Sequence, residues 1–345
     1  MHRRNFLTGS VAGVVTLAAG KASAQDVITL RFHTLVPLES SILAGAILPY
    51  FKDIEVEAGG RLKFEYYPSM QLGGTPQSLF DQVKDGVVEF TQMVTGYSPG
   101  RFPKTSTFEL PFLMTDVVST SVALQKFVEA HALDEFSEVK LLCMNTHGPG
   151  VLHTKNPVTR LEDIRGMKIR GGSNIVNDML AKLGAEPITI PITQLAEALT
   201  TGVIDGTTMP WDLTPSLKVP ELVHHHTEFP ASRGLYTLPF FFIMNLSAYQ
   251  ALPDDLKALF DKGAGVPLAH ACGVATAPGD VWARQVAVDL GNTIYSLDEA
   301  ETQRWVDAAQ PTIEQWYAEK EAQGIDGRAL HQAAKDLIMM ETKSG

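Results

Sequence analysis

The clearest chemical signal in this chain is an arginine that closes a β-prone run. Arg170 ends Met167-Lys168-Ile169-Arg170 and is followed at once by Gly171-Gly172. A guanidinium at a strand's carboxyl end, with glycines keeping the backbone open, can grip a carboxylate through two parallel hydrogen bonds. Spacing alone equally allows a surface arginine paired with a nearby acid. Trp211, in Thr207-Thr208-Met209-Pro210-Trp211-Asp212, reads as a pocket wall or as core. Tyr97, in Thr95-Gly96-Tyr97-Ser98-Pro99-Gly100, follows a strand end. It either faces a cleft or packs as a turn aromatic on the surface.

Signatures of catalysis are missing. The sequence has no G-x-S-x-G elbow, no G-x-x-x-x-G-K-[ST] phosphate loop and no G-x-G-x-x-G after a strand. Gly148-Pro149-Gly150 is a turn, since proline removes an amide that a phosphate cradle requires. His224-His225-His226 invites a metal reading. Three adjacent side chains of an extended segment point alternately to opposite faces, however, so the run reads as a solvated strand end. Cys143 and Cys272 form no disulfide framework, and one bridge between them stays open.

The elements that would position these residues belong to a globular α/β protein. The 345 residues are 45% hydrophobic and 19% charged, enough for a sizeable core in one or two domains. A net charge of −11 argues against nucleic-acid binding, and no apolar run is long enough to span a bilayer. Strand-like Val27–Phe32, Leu62–Tyr66 and Val87–Val94 alternate with helical Ser41–Glu57 and Thr75–Asp85, a rhythm that implies a largely parallel sheet. It restarts near residue 140 with strands Val139–Asn145, Val151–Thr154, Met167–Arg170 and Pro187–Ile190 and helices Asn174–Leu183 and Ile192–Thr201. Two such units in series predict two lobes with a ligand between them, at the carboxyl ends of strands. Beyond Pro253 helices dominate. Gly263–Gly279 is softer, Leu297–Glu321 is amphipathic, and Ala329–Glu341 has Leu330, Ala333, Leu337 and Ile338 on one face.

The first residues address the protein. Arg3 and Arg4 precede an apolar run, Phe6 to Ala19, and Ala22-Ser23-Ala24 supplies small residues for a signal peptidase. Arg3-Arg4-Asn5-Phe6-Leu7 resembles a twin-arginine export signal, with an ordinary Sec signal as the alternative. Cleavage after Ala24 removes three basic and no acidic residues, takes the charge from −11 to −14 and leaves the protein in the periplasm.

Five blocks then run in order. They are Tyr67-Pro68-Ser69-Met70-Gln71-Leu72-Gly73-Gly74, Val83-Lys84-Asp85-Gly86-Val87-Val88-Glu89-Phe90, Phe108-Glu109-Leu110-Pro111-Phe112, Leu161 to Arg170, and Gly202-Val203-Ile204-Asp205-Gly206. With this spacing the chain resembles the DctP-type solute-binding receptors of tripartite ATP-independent periplasmic (TRAP) transporters. The resemblance implies a two-lobed, type II-like periplasmic binding protein with an interlobe cleft, a long hinge helix and C-terminal helices. It assigns 25–147 plus about 238–277 to the first lobe, about 148–237 plus 278–325 to the second, and 326–345 to a helical tail. It implies that Arg170 binds a substrate carboxylate, that the chain performs no catalysis, and that it docks on a permease of two integral membrane subunits. The tail helix would lie on the second lobe or make a homodimer.

Departures narrow the ligand. Where sialic-acid receptors of the family carry a second arginine, this chain reads Asn145 to His153 without one. Where they carry Gln-Glu-Asn-Pro it has Thr207-Thr208-Met209-Pro210-Trp211. Methionine and tryptophan make a drier, flatter pocket in which sugar hydroxyls would go unsatisfied at about 1–3 kcal/mol each. A monocarboxylate with an apolar or aromatic body fits. The expected arrangement sandwiches that body between Tyr97, Trp211 and Met209, with polar help from Thr95, Thr75 and His147. Asp212 would repel an anion unless it caps a helix or holds a sodium or calcium ion bridging to the ligand, as in keto-acid and lactate receptors. No other cofactor is expected. A secreted hydrolase and a periplasmic sensor subunit are the competing functions, although no nucleophile–base pair can be nominated for the first.

Overall fold

The computed structural model describes residues 27–230 and 233–344, so the expected export signal lies outside the described residues. Eleven strands are described. In chain order they are β1 (Ile28–His33), β2 (Leu62–Tyr67), β3 (Phe90–Val94) and β4 (Val139–Thr146). After the chain crosses over come β5 (Val151–Thr154), β6 (Lys168–Arg170), β7 (Glu186–Ile188), β8 (Gly206–Met209) and β9 (His225–Glu228). Strand β10 (Pro239–Asn245) returns to the first group, and β11 (Thr293–Ser296) to the second. They form two sheets, ordered β2-β1-β3-β10-β4 and β11-β9-β5-β8-β6-β7.

Neither sheet is as parallel as the strand–helix rhythm implied. β1 runs parallel to β2 and β3, but β10 is antiparallel to both β3 and β4. In the second sheet β6 is parallel to β7 and β8, whereas β5 is antiparallel to β8 and β9. The cause is the pair of crossings: β4 leaves the first sheet and β10 re-enters it, so each sheet receives a strand travelling the other way.

Aromatic residues build the first core. Phe51 is fully buried, with the rings of Phe32, Phe64, Phe90 and Phe242 at centroid distances of 4.3–5.5 Å. Each such ring stabilises the fold by roughly 1.5–3 kcal/mol through apolar burial. Cys143 and Cys272 are both in this core, buried and unbridged. A second apolar cluster continues from Phe80, Phe102 and Phe241 into Ile169 and Leu180 of the other lobe, which fixes the ground under Arg170.

The helix Val266–Asp289 links the lobes. It runs unbroken through Gly273 and Pro278, although the glycine–alanine content of 263–279 suggested a softer point. Glycine is required for close approach here: a Cβ on Gly273 would stand 2.7 Å from the Cα of Val118 in the helix Val117–Phe127. Farther along, Ala283 and Ala287 pack on Trp211 of the second lobe. At 1.5 Å per residue, its 24 residues span about 36 Å.

The C-terminal helices turn back. Trp316, on the helix Glu299–Ala322, donates its indole N–H to Ser106 Oγ of the first lobe at 3.0 Å. The last helix, Gly327–Ser344, lies on the first lobe rather than on the second. Lys126 pairs with Glu341 at 2.6 Å and Thr115 meets Thr342 at 2.8 Å. Its stripe of Leu330, Ala334, Leu337 and Ile338 is packed within this chain.

Candidate functional site

A cavity of about 410 Å³ lies between the sheets. Arg170 enters it from the end of β6, where the pairing Arg170↔Thr207 and Arg170↔Ile188 holds the backbone on both sides. The side chain is only 3% exposed, and its partners are neutral: Nη2 donates to the Tyr97 hydroxyl at 3.1 Å and Nε to the Ile190 carbonyl at 3.4 Å. Taking a charge out of water costs several kcal/mol unless a counter-charge and hydrogen bonds compensate. The described residues supply hydrogen bonds here and no counter-charge. The Tyr97 oxygen accepts from Arg170, so its own proton is free to donate into the cavity.

The rest of the wall is largely carbon, from Leu35, Met93, Met209, Leu213, Leu238 and Phe240. Glycine serves Arg170 differently from expectation. A Cβ on Gly172 would fall 2.8 Å from Leu238 Cδ1 and one on Gly171 2.2 Å from Asn177 Oδ1. The pair lets neighbours close in; it does not keep the backbone open.

His147 lines the cavity, but its polar atoms are spent on the backbone. Nδ1 faces the Gly148 carbonyl and Nε2 accepts the Leu238 N–H at 3.1 Å, so the proton sits on Nδ1. Burial, opposed by the Gly148 hydrogen bond and aided by the Arg170 charge, pushes its pKa down to about 4. The ring is therefore neutral at pH 7 and shapes the wall without adding charge.

Other expected contacts lie elsewhere. The Trp211 ring does not line the cavity. It sits 4.8 Å from each of the His153 and His226 rings, with its N–H on Glu228 Oε1 at 2.8 Å, and Glu228 in turn pairs with Arg284. Such a satisfied polar handle is what a buried indole needs, and it turns the ring away from the cavity. His226 is consequently buried against His153, not on a solvated strand end; its Nδ1 is 2.8 Å from that of His153. Thr95 is buried outside the cavity, donating to Glu109 Oε1 at 3.3 Å. Thr75 is exposed at the start of the short turn Pro76–Ser78, where the Ser78 hydroxyl accepts its N–H.

Asp212 also misses the cavity. Ser41 of the first lobe donates to its Oδ2 at 3.2 Å, and its N–H donates to Asp280 Oδ1 on the hinge helix at 2.9 Å. Its Oδ1 is shut from solvent and meets no hydrogen-bond partner among the described residues. Burial pushes both carboxyls up, and the facing Asp212 raises Asp280 further, so the two share the junction with at least one proton. A cation bridging Asp212 to a ligand on Arg170 has no support in this placement. Among the described residues, no group of three or more His, Cys, Asp or Glu side chains could hold a metal ion.

Sequence reading overlooked Tyr236, Leu238 and Phe240. They sit where the returning crossover enters β10, and Pro239-Phe240-Phe241-Phe242 reads as a core strand. Only the alternation of Phe240 against buried Phe241 hints that one face is half-open.

Family comparison agrees with this architecture. The family model DctP, bacterial extracellular solute-binding protein family 7, matches residues 33–320. The chain belongs to that family. The receptor is similar to a TRAP solute-binding protein from Rhodoferax ferrireducens T118, solved with copurified benzoate. Identity is 39%, coverage 92% of this chain and 99% of that one, and the TM-score 0.89. A marine-metagenome TRAP protein solved with 3-hydroxybenzoate is 40% identical, with the same coverage and TM-score. A Bordetella bronchiseptica protein with bound (R)- and (S)-mandelate is 30% identical, with coverage of 91% and 99% and a TM-score of 0.83. The receptor thus has the two-lobed architecture of TRAP solute-binding proteins, and among its described residues no helix is long and apolar enough to cross a membrane.

Proposed function

We propose that the receptor captures an aromatic monocarboxylate between its lobes and delivers it to a TRAP permease of two membrane subunits, with no catalytic step of its own. One observation carries this reading: a buried guanidinium with no carboxylate partner among the described residues opens into a cavity walled mainly by apolar side chains. The carboxylate would lie on Arg170 and the Tyr97 hydroxyl, and the ring among Met209, Leu213 and Phe240. Three similar proteins solved with benzoate, 3-hydroxybenzoate and mandelate support an aromatic body.

Calorimetric titration of unfolded and refolded, ligand-stripped receptor tests it. Benzoate, 3-hydroxybenzoate and mandelate are expected to bind at least about 100-fold tighter than succinate or a hexuronate. A second carboxylate or a set of hydroxyls would lose water without gaining partners, at about 1–3 kcal/mol per group. Succinate binding as tightly as benzoate would sink the assignment. Chelator is expected to change nothing; a strict calcium or sodium requirement would instead favour the bridged keto-acid reading.

The site of action is the periplasm, reached through the twin-arginine signal of residues 1–24. Mature receptor recovered from that compartment is expected to begin at Gln25, and a Lys-Lys replacement of Arg3-Arg4 to stop export. Full periplasmic yield of that variant would assign the Sec route.

A further inference from the structure

A second, polar chamber of about 190 Å³ opens at the same lobe junction, where Gly96 meets Ser173. Its floor holds Glu109, the last residue of the turn Thr105–Glu109 and only 4% exposed. A carboxyl so deeply buried needs an explanation, because desolvation penalises its charged form. Its neighbours come from opposite lobes. Thr95, two residues before Tyr97, donates from the first lobe at 3.3 Å. Ser173, three residues after Arg170, lines the same chamber from the second. Ser173 also caps the helix Asn174–Lys182, accepting the Val176 N–H, so Glu109 stands at the positive end of that helix.

We propose that Glu109 is a positioning residue for ligand binding: its carboxyl ties the Thr95–Tyr97 turn to the Gly171–Ser173 loop, so that Tyr97 and Arg170 meet when the lobes close over it. The inference rests on the reading of the main cavity as the acid site, but places the control of closure outside that cavity. Glu109 touches neither the cavity nor the ligand position. It acts through the two loops that carry the contacting side chains.

Closure has a consequence for protons. With the lobes together, burial raises Glu109 to about 7, against the lowering effects of Ser173, Thr95 and the Lys320 charge. With the lobes apart the carboxyl reaches water and returns toward its ordinary 4.5. A group whose pKa is higher in the closed form favours closure at low pH, and that preference is lost as pH rises through about 7. The groups facing it are Thr95 and Ser106 of the first lobe, Ser173 and Asn174 of the second, and Lys320 and Glu319 of the helix Glu299–Ala322. Lys320 is itself buried over the Trp316 ring at 5.4 Å and is pushed down by burial.

The experiment is benzoate affinity between pH 5.5 and 8.5, where the ligand stays ionised, for wild type, Glu109→Gln and Glu109→Ala. Wild type is expected to weaken by roughly tenfold or more across the range. Glu109→Gln, a neutral isostere, should hold the wild-type affinity of pH 5.5 with a flatter profile. Asp280 titrates in the same window, and Glu109→Gln retains its contribution, so the difference between the two profiles isolates Glu109. Glu109→Ala should bind at least about tenfold more weakly at every pH. Identical slopes for wild type and Glu109→Gln, or wild-type affinity in Glu109→Ala, would overturn the proposal. If wild type binds no aromatic acid, the acid assignment has failed, and ligand-free closure decides the role of Glu109. Spin labels on Lys52→Cys and Thr200→Cys, exposed on opposite lobes, should then report a closed population that shrinks with pH in wild type but not in Glu109→Gln. No such difference would overturn it.

Discussion

Replacing Arg170 by alanine is expected to weaken binding of an aromatic acid by roughly 30- to several-thousand-fold while leaving the ligand-free fold intact. Removing one partner of a desolvated, hydrogen-bonded charge pair costs about 2–5 kcal/mol, because the ligand carboxylate would enter a dry cavity with no counter-charge. Among the described residues the guanidinium has only Tyr97 and Ile190 as partners, so its loss removes a buried charge that no described acid compensates. The melting temperature of Arg170→Ala should accordingly match or exceed that of wild type. Arg170→Lys should recover little, since an ammonium lacks the planar fork and would not reach both Tyr97 and the ligand. Calorimetric titration reads the affinity and thermal melting the fold. An alanine variant that binds as tightly as wild type removes Arg170 from the site.

Gly96→Leu is expected to separate binding from folding in the opposite way, by obstructing the lobes without touching the cavity chemistry. A Cβ at position 96 would stand 2.8 Å from Ser173 Cβ and 3.6 Å from the Gly172 carbonyl oxygen, both on the other lobe. Gly96 is not among the glycines with positive φ, so the first lobe itself tolerates a side chain there. Overpacking costs about 1–3 kcal/mol, or five- to 150-fold in affinity, and leucine lies at the upper end. Because closure is what suffers, the apparent dissociation constant should rise as the closed fraction falls. Small-angle scattering checks this: wild type should compact on adding benzoate and the variant should not. Wild-type affinity with normal compaction would show that the lobes do not need this contact.

Both variants act within a few residues of each other in space, yet they were not equally legible. Arg170 was visible because residue type, strand end and following glycines coincide within six positions, and the five-block resemblance gave it a role. Gly96 was visible only as a turn glycine. Its requirement comes from a chain segment 77 residues away, and no local pattern encodes that approach. Trp211 shows the converse error. Its neighbours Met209 and Pro210 do line the cavity, but the indole N–H finds Glu228 on the other side of β8, and that hydrogen bond decides which way the ring turns. Asp212 likewise follows the partner that tertiary structure supplies, Ser41 and Asp280, in place of a ligand.

The sequence by itself determined the α/β class, the family, the arginine at the strand end and the apolar residues close to it. These are carried by periodicity, by blocks in fixed order and by side-chain chemistry, all of which survive in one dimension. Tertiary structure alone decided the mixed strand directions, the folding of the last helix onto the first lobe, and the neutral tautomer of His147. It also decided the meeting of Tyr97 with Arg170 and the burial of Glu109 between two lobes. Each of these depends on a contact across the crossover or between lobes, and such contacts exist only after the two sheets have formed and been brought together.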